Sequence, residues 1–538
     1  MPLRPPSATA PLAAIDIGSN SFRLEIAQLQ HGRYRRIAYL KETVRLGAGL
    51  DSNGYLTETA AQRGLDCLGR FAQRLQGFDA RQVRAVATQT LREARNRDAF
   101  LVRAEDALGF EVEVVSGREE ARLIYAGVSF LQPGAGPRLV VDIGGRSTEL
   151  IVGQGRTPRV VESFKTGSVS LSMRWFADGV FTEQRFRDAQ VAAGAELEEA
   201  LEPFAPRHWR EALGSSGTAG AVSQILAAAG ITDGTITPDG LRWCMAQCLA
   251  AGSVHKLVLP SLREDRKAII GGGLALLYTL ATHFGITELR PAKGALRQGV
   301  IIDLHERHAA RRQAGGGDLR DQSVAALQAR FEVDTAQAAR VRSVASALLA
   351  TVLPPVLPSV LPSVLHNGQA NAPANAPANA PQPGPQHSAG VDDGEALREL
   401  GWACDLHEIG LMVSHHDHHR HSAYLMSHVD APGFSQSQQR RIGDLVLGQR
   451  GGLRKIEPQL CSERFAWQVL ALRLAVIKCH ARGAVDPLAL RLRRDGRQAR
   501  LGYRPDWADS HLRTMHLLRE EAENWARQDN PRLVLAPD

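Results

Sequence analysis

Residues Leu139–Leu150 read LVVDIGGRSTEL. An apolar strand carries the chain to Asp142, Gly144 and Gly145 permit a turn with positive φ and an uncovered backbone, and Ser147 and Thr148 begin a returning strand. Successive backbone N–H groups in such a turn form an anion cradle, and a carboxylate beside it can hold a metal ion or one of its waters. The same device occurs earlier as AAIDIGSNSFRL over Ala13–Leu24, where Asp16, Gly18, Ser19 and Asn20 take the corresponding places. One such turn alone would read as an ordinary hairpin. Two copies, each running strand, Asp-Ile-Gly, small polar turn, strand, point to a duplicated domain whose two loops face one phosphate.

The chain has 538 residues, 44% hydrophobic and 22% charged, enough for several domains with ample core. Its 64 Lys and Arg against 57 Asp and Glu give a net charge of +7 and a pI near 9.2. That balance favours polyanionic partners, whether nucleic acid, a membrane surface or polyphosphate. The six cysteines are scattered. Cys244 and Cys248 sit at helical spacing with no second pair to complete a zinc site, which reads as reduced thiols in a cytosolic protein. Prolines interrupt the first residues where a signal peptide needs a continuous apolar core, arguing against secretion. Ser343–Leu365 carries no charge and is long enough to span a bilayer, but Pro354, Pro355, Pro358 and Pro362 would break a helix there. A helix ending near Leu353, followed by a proline-rich linker, is the expectation.

Between the two Asp-Ile-Gly turns, Val83–Thr88 reads as a buried strand followed by Thr90, Leu91 and Arg92. Arg92 therefore lies just past a strand's carboxyl end, where open α/β sheets bind ligands. In SGREEARLIY, Ser116 and Glu119 match a capping box, which gives Glu119 a structural task. Glu120 points about 100° away around the helix and stays free to face a cleft. Alternation of strand and helix through residue 305 indicates an α/β fold of two similar lobes, residues 1–126 and 127–310. Helical periodicity then dominates 318–480, interrupted at about 354–390 by a tract that repeats Asn-Ala-Pro and can bury almost nothing. Residues 481–538 read as a small α+β domain, with a hairpin turning at Asp495 and Gly496. The histidine-dense stretch 407–421 contains no HExxH, and Glu408 stands where an HD-type metal site needs Asp. It reads as helix ends with solvated and stacking histidines.

Taken together, AAIDIGSNSF, SGREEARLIY and VVDIGG with STEL resemble the exopolyphosphatase and guanosine pentaphosphate phosphohydrolase family. The resemblance implies a two-lobed actin-like ATPase (ribonuclease H-like) fold followed by mostly α-helical, HD-like C-terminal domains. It implies hydrolysis of a terminal phosphoanhydride with magnesium required. On this reading Glu120 is the catalytic base and Arg92 holds phosphate. Gly18, Ser19, Asn20, Gly144, Gly145, Ser147 and Thr148 form the phosphate cradle, while Asp16, Asp142 and Glu149 position the metal or its waters. The ending HRHSAYL looks more like the exopolyphosphatase branch, which makes inorganic polyphosphate the expected substrate and guanosine pentaphosphate the alternative. Arg440, Arg441, Arg454, Lys455, Arg491 and Arg493 would then grip the polymer. A non-catalytic sensor is a further alternative, favoured only by Arg146, where the family usually carries a small residue. That long side chain would add a cation near the anion or distort the turn. The resemblance also implies a homodimer in the cytoplasm. The positive charge admits peripheral association with the inner face of the cell membrane, and no nucleic acid partner is expected.

Overall fold

The computed structural model describes residues 10–312, 317–352, 393–486, 489–528 and 531–538. The expected proline-rich insertion at about 354–390 lies outside the described residues. The described residues fall into two compact units, Pro6–Ala338 with Asp405–Arg450, and Ala339–Cys404 with Gly451–Asp538.

The larger unit holds two five-stranded sheets of one topology. In the first, β1 (Leu12–Ile17), β2 (Phe22–Gln30) and β3 (Arg33–Glu42) form an antiparallel meander. On the other side of β1, β4 (Val83–Ala87) and β5 (Val112–Val114) run parallel to it. The second sheet repeats this with the meander β6 (Pro137–Ile143), β7 (Thr148–Gln154) and β8 (Thr157–Phe164), and with β9 (Glu211–Ser215) and β10 (Leu289–Pro291) parallel to β6. The repeat extends to irregularities. The register slips at Ile26/Ala27 in the first meander and at Val152/Gly153 in the second, the same distance along the chain from Asp16 and Asp142. A bulge shared at one place in both copies is a feature of a duplicated unit. The architecture is the two-lobed actin-like fold.

Strand alternation decides where the chemistry sits. Ala13, Ile15 and Ile17 enter the first lobe's own core, so Leu12, Ala14 and Asp16 face the other way. Leu139, Val141 and Ile143 likewise enter the second lobe's core, leaving Val140 and Asp142 on the opposite face. Leu12, Ala14 and Val140 belong to a third core that includes Ala121, Leu123 and Ile124 of the helix Gly117–Leu131 and Val300 of the helix Leu296–Arg312. Two helices thus lie between the sheets, and both aspartates point toward them. The helices pack backbone to backbone: a Cβ on Gly127 would lie 2.5 Å from the Ala295 carbonyl oxygen, and one on Gly299 would run into the Leu123 carbonyl. The boundary expected between residues 126 and 127 therefore falls inside a helix that serves both lobes.

The C-terminal region is mostly helical, as expected. Its units differ from the expected split at 480, because Asp405–Arg450 group with the lobes while Gly451–Cys479 group with the terminal strands. In the smaller unit β11 (Leu490–Asp495) and β12 (Gln498–Tyr503) make the expected hairpin, and β13 (Arg532–Pro537) adds in parallel to β12. No helix among the described residues is long and apolar enough to cross a membrane.

Candidate active site

The two Asp-Ile-Gly turns face each other. A Cβ placed on Gly145 would lie 3.2 Å from the Ser19 Cβ and 3.7 Å from the Asn20 Cβ. None of Gly18, Gly144 and Gly145 has positive φ, contrary to the expectation, so backbone freedom does not explain them. Close approach does. A Cβ on Gly18 would meet the Ser21 carbonyl oxygen at 3.0 Å, and one on Gly144 the Ser147 carbonyl oxygen at 3.1 Å. The first turn is held by Gly47 N–H donating to the Ser19 carbonyl at 2.8 Å and by the Thr90 hydroxyl donating to Ser19 Oγ at 2.8 Å. The second is closed by Gly144 N–H donating to the Ser147 carbonyl at 2.9 Å.

A cleft between the turns is lined by Asp16, Gly18, Ser19, Asn20, Glu120, Asp142, Gly144, Gly145 and Ser147. Glu120 reaches it because the cap works as read: Ser116 Oγ accepts the Glu119 N–H at 3.1 Å. The Glu119 carboxylate does not close the box. It receives Arg122 at 2.7 Å through Nε and Nη2 and the Gly433 N–H at 3.0 Å. Glu120 and Ile124, one turn apart, both face the cleft. Arg92 donates through Nη1 to Glu120 Oε2 at 2.7 Å and to the Val115 carbonyl at 3.0 Å. Among the described residues its Nη2 is buried without a hydrogen-bond partner, as are Arg23 Nε and Ser21 Oγ, the latter two at the cleft wall. Buried donors without acceptors suit an anionic ligand.

Thr148 and Glu149 sit one step behind. Thr148 opens β7 opposite Ile143, and its hydroxyl donates to the Thr166 carbonyl at 2.6 Å, so that hydroxyl is spent on the fold. Glu149 is buried and receives the Ser163 hydroxyl at 2.8 Å. The acids sense one another. Burial pushes Glu120 up to about 7, with Asp142 and Asp16 adding to the rise while Arg92 opposes it. Glu149 is raised well above the usual carboxylate range by burial, Glu120 and Asp142. Asp142 is raised by burial and by Asp16 against hydrogen bonds from Ser216 and Ser215.

Such a donor set fits a hard divalent cation. Among the described residues no three His, Cys, Asp or Glu side chains form a ready-made metal cage. Magnesium does not need one, since it keeps several waters and takes one or two carboxylates plus substrate phosphates. Asp16 and Asp142 on the cleft wall, with Glu149 behind, meet that requirement.

The cleft also contains cations that sequence reasoning missed. Arg23 lies 3.5 Å from Asp16 Oδ2, and Arg266 lines the same wall, its guanidinium packed over Gly217. Arg23 is the cross-strand neighbour of Asp16, which pairing of the first hairpin could have shown. Arg266 carried no local signal, because its short helix, Glu264–Lys267, is remote in sequence from either turn. Ser216, where β9 passes directly into the helix Ser216–Ala228, adopts φ 67° at the cleft wall, a strained conformation of the kind found at functional sites.

Arg146 neither faces the cleft nor distorts its turn. Its φ is not positive, and its side chain crosses to the first lobe, where Nε and Nη2 donate to Glu93 Oε2 at 3.0 and 2.8 Å. The residues expected to grip a polymer fall on both compact units: Arg440 and Arg441 on the larger, Arg454, Lys455, Arg491 and Arg493 on the smaller. Arg441 is engaged with Glu111 at 2.5 Å, and Arg491 and Arg493 share the exposed face of β11 as expected. The histidine stretch makes ring contacts as expected, His415 with His418 and His418 with His419, but His407, His418 and His419 are buried rather than solvated.

Residues 25–308 match the Ppx/GppA phosphatase family, and residues 384–522 match Ppx/GppA phosphatase, domain III. A protein of Photobacterium profundum named guanosine-5'-triphosphate,3'-diphosphate pyrophosphatase is 35% identical over 472 residues, 87% of each chain. One of the same name from Aeromonas hydrophila is 33% identical over 529 residues, 97% of this chain and 98% of its own. The crystal structure of an exopolyphosphatase from Cytophaga hutchinsonii, 23% identical, covers 55% of this chain and 98% of its own with a TM-score of 0.50.

Proposed function

Because the chain belongs to the Ppx/GppA phosphatase family, whose members are hydrolases acting on phosphoanhydride bonds, we propose that its substrate is guanosine pentaphosphate and its reaction the removal of the terminal 5' phosphate. The observation that carries this reading is a second cavity beside the phosphate turns. It shares Ser19, Asn20 and Ile269 with the cleft and is walled by Met173, Phe176, Val254 and His255. An apolar and aromatic wall gives a nucleoside a surface to rest on, whereas a linear polyphosphate has no apolar part to place there. The full-length relatives named for this nucleotide support the same choice over the exopolyphosphatase suggested by HRHSAYL.

A nucleotide phosphorylated at both 5' and 3' positions brings a dense negative charge into the cleft. Arg23 and Arg266 on the cleft wall, and Lys41, which is paired with Asp265 at 3.4 Å, supply cations for it. Burial lowers Arg266, and Arg23 lowers it further. Burial and Arg266 lower Lys41 in the same way. Cations whose charge is disfavoured in the free protein gain from an incoming anion.

In the reaction the N–H groups of the two turns cradle the terminal phosphate. Arg92 occupies Glu120 Oε2, which leaves the other oxygen to take a proton from water as that water attacks the terminal phosphorus; the bond from that phosphorus to the bridging oxygen breaks, and inorganic phosphate and the nucleotide with one phosphate fewer leave. Asp16, Asp142 and Glu149 would hold magnesium, which neutralises charge on the phosphate oxygens. Positioning and charge stabilisation supply most of the acceleration in phosphoryl transfer.

The test is phosphate release from guanosine pentaphosphate and long-chain polyphosphate in parallel, with wild type and His255→Ala. The nucleotide should give the higher kcat/KM, and His255→Ala should raise KM for it alone. Higher efficiency on the polymer would return the assignment to exopolyphosphatase.

A further inference from the structure

The hydrogen bonds of Arg146 continue beyond Glu93. Glu93 uses Oε2 for Arg146 and Oε1 for Gln89, whose Nε2 donates to it at 2.7 Å. That bond fixes the Gln89 amide, so its Oε1 accepts Arg92 Nε at 2.9 Å. Arg92 in turn donates to Glu120 Oε2 at 2.7 Å. The result is an unbroken chain of hydrogen bonds from the second lobe's turn to Glu120, in which Glu93 accepts from both neighbours, Gln89 donates to one and accepts from the other, and Arg92 donates to both. Arg146 has a second anchor: its Nη1 donates to the Gly47 carbonyl at 3.2 Å, and Gly47 N–H holds the Ser19 carbonyl in the first turn. A Cβ on Gly47 would lie 2.8 Å from Arg146 Cδ, so glycine leaves room for the crossing side chain.

We propose that Arg146 is a positioning residue for the hydrolysis, holding Arg92 against Glu120 through Glu93 and Gln89. The inference rests on the reading of Arg92 and Glu120 as the groups that handle phosphate and water. Arg146 touches neither of them. It acts by occupying the one Glu93 oxygen that Gln89 does not use, which stops that carboxylate from rotating and releasing the amide behind Arg92. Two N–H groups of one planar guanidinium meet on that single oxygen, which sets direction as well as charge. The relay also spans the two lobes, and it adds to the anchor that the Val115 carbonyl already gives Arg92 at 3.0 Å.

The test uses the full chain with guanosine pentaphosphate. Arg146→Ala should lower kcat by about 10-fold or more while KM stays within about 2-fold, the pattern of a misplaced group rather than a lost binding contact. Arg146→Lys, which keeps a charge for Glu93, should restore part of kcat, and it carries the test if the alanine variant does not fold. Gln89→Leu, which cuts the relay at its middle, should cost as much as Arg146→Ala, and the double variant no more than either. Unchanged kcat in Arg146→Ala, a loss confined to KM, or multiplying losses in the double variant would overturn the relay. Arg92→Ala separates the two levels. If it lowers kcat while Arg146→Ala does not, the relay alone falls; if Arg92→Ala itself leaves kcat intact, the reading of Arg92 falls and takes the relay with it.

Discussion

Asp142 and Glu149 are cross-strand partners in the β6–β7 hairpin, at the place where the β1–β2 hairpin pairs Asp16 with Arg23. The duplicated lobes therefore differ in charge at one equivalent position. In the first lobe the acid has a cation opposite it, 3.5 Å away. In the second it faces another acid, with the buried Glu120 close enough to raise Glu149 further. Like charges opposite each other are costly in a strand pair, and here burial enlarges the cost. That unpaired negative charge sits beside the turn that would receive a phosphate, which is where a dication would resolve it.

Magnesium should accordingly stabilise the protein in a pH-dependent way. Glu120, Glu149 and Asp142 have folded-state values raised above the ordinary carboxylate range by burial. A raised carboxylate contributes stability below its unfolded value and loses that contribution as pH rises through the folded value. The metal-free protein thus gives up stability between ordinary carboxylate titration and about pH 7 for Glu120. Magnesium would bind the ionised forms. The rise in thermal midpoint on adding magnesium should be larger at pH 8 than at pH 5.5, and an equal rise at both would contradict the metal assignment of these acids.

Turnover should carry an acid limb from the same group. Glu120 takes a proton only when ionised, so kcat/KM should climb as pH rises through about 7. Arg92 opposes the rise of Glu120, and Arg92→Ala should move the limb to higher pH. A profile flat from pH 6 to pH 8 would remove Glu120 from the role.

Asp303 should be the most sensitive structural carboxylate near the site. It accepts Arg84 at 2.7 Å, Arg122 at 2.6 Å and Arg307 at 2.7 Å, all buried or nearly so. Burial alone would raise it, but Arg307, Arg122 and Arg84 hold its carboxyl far below the usual range. Its contribution is present at neutral pH and fades in acid as the carboxylate protonates. Removing one partner of a buried ion cluster costs about 3–5 kcal/mol. Asp303→Asn should show a loss of that order in denaturant unfolding at pH 7, and a loss below about 1 kcal/mol would show that the arginines find other acceptors.

The duplicated hairpins were legible because two short segments repeat both strand alternation and turn chemistry, and alternation alone places Asp16 and Asp142 on one face. Glu120 was legible from the cap, which engages its neighbour Glu119. The role of the turn glycines was not, because Gly18, Gly144 and Gly145 owe their place to neighbouring carbonyls and side chains rather than to φ. Arg266 and Arg146 were illegible for a related reason. Each meets partners brought near by the fold, and no local pattern distinguishes an arginine that lines a cleft from one that crosses it. The grouping of Asp405–Arg450 with the lobes has the same origin: Gly433 meets Glu119 across 314 residues of sequence and Arg307 across 126.

Glu120→Gln, assayed for both binding and turnover, is the measurement that bears most directly on the mechanism. The amide keeps the shape and an acceptor for Arg92 but cannot take the proton. Affinity for guanosine pentaphosphate should stay within about 3-fold by calorimetry, while single-turnover phosphate release falls by about 100-fold to 10,000-fold, the range of a lost general base. Release within about 10-fold of wild type would contradict Glu120 as the base and place the proton on another group of the cleft.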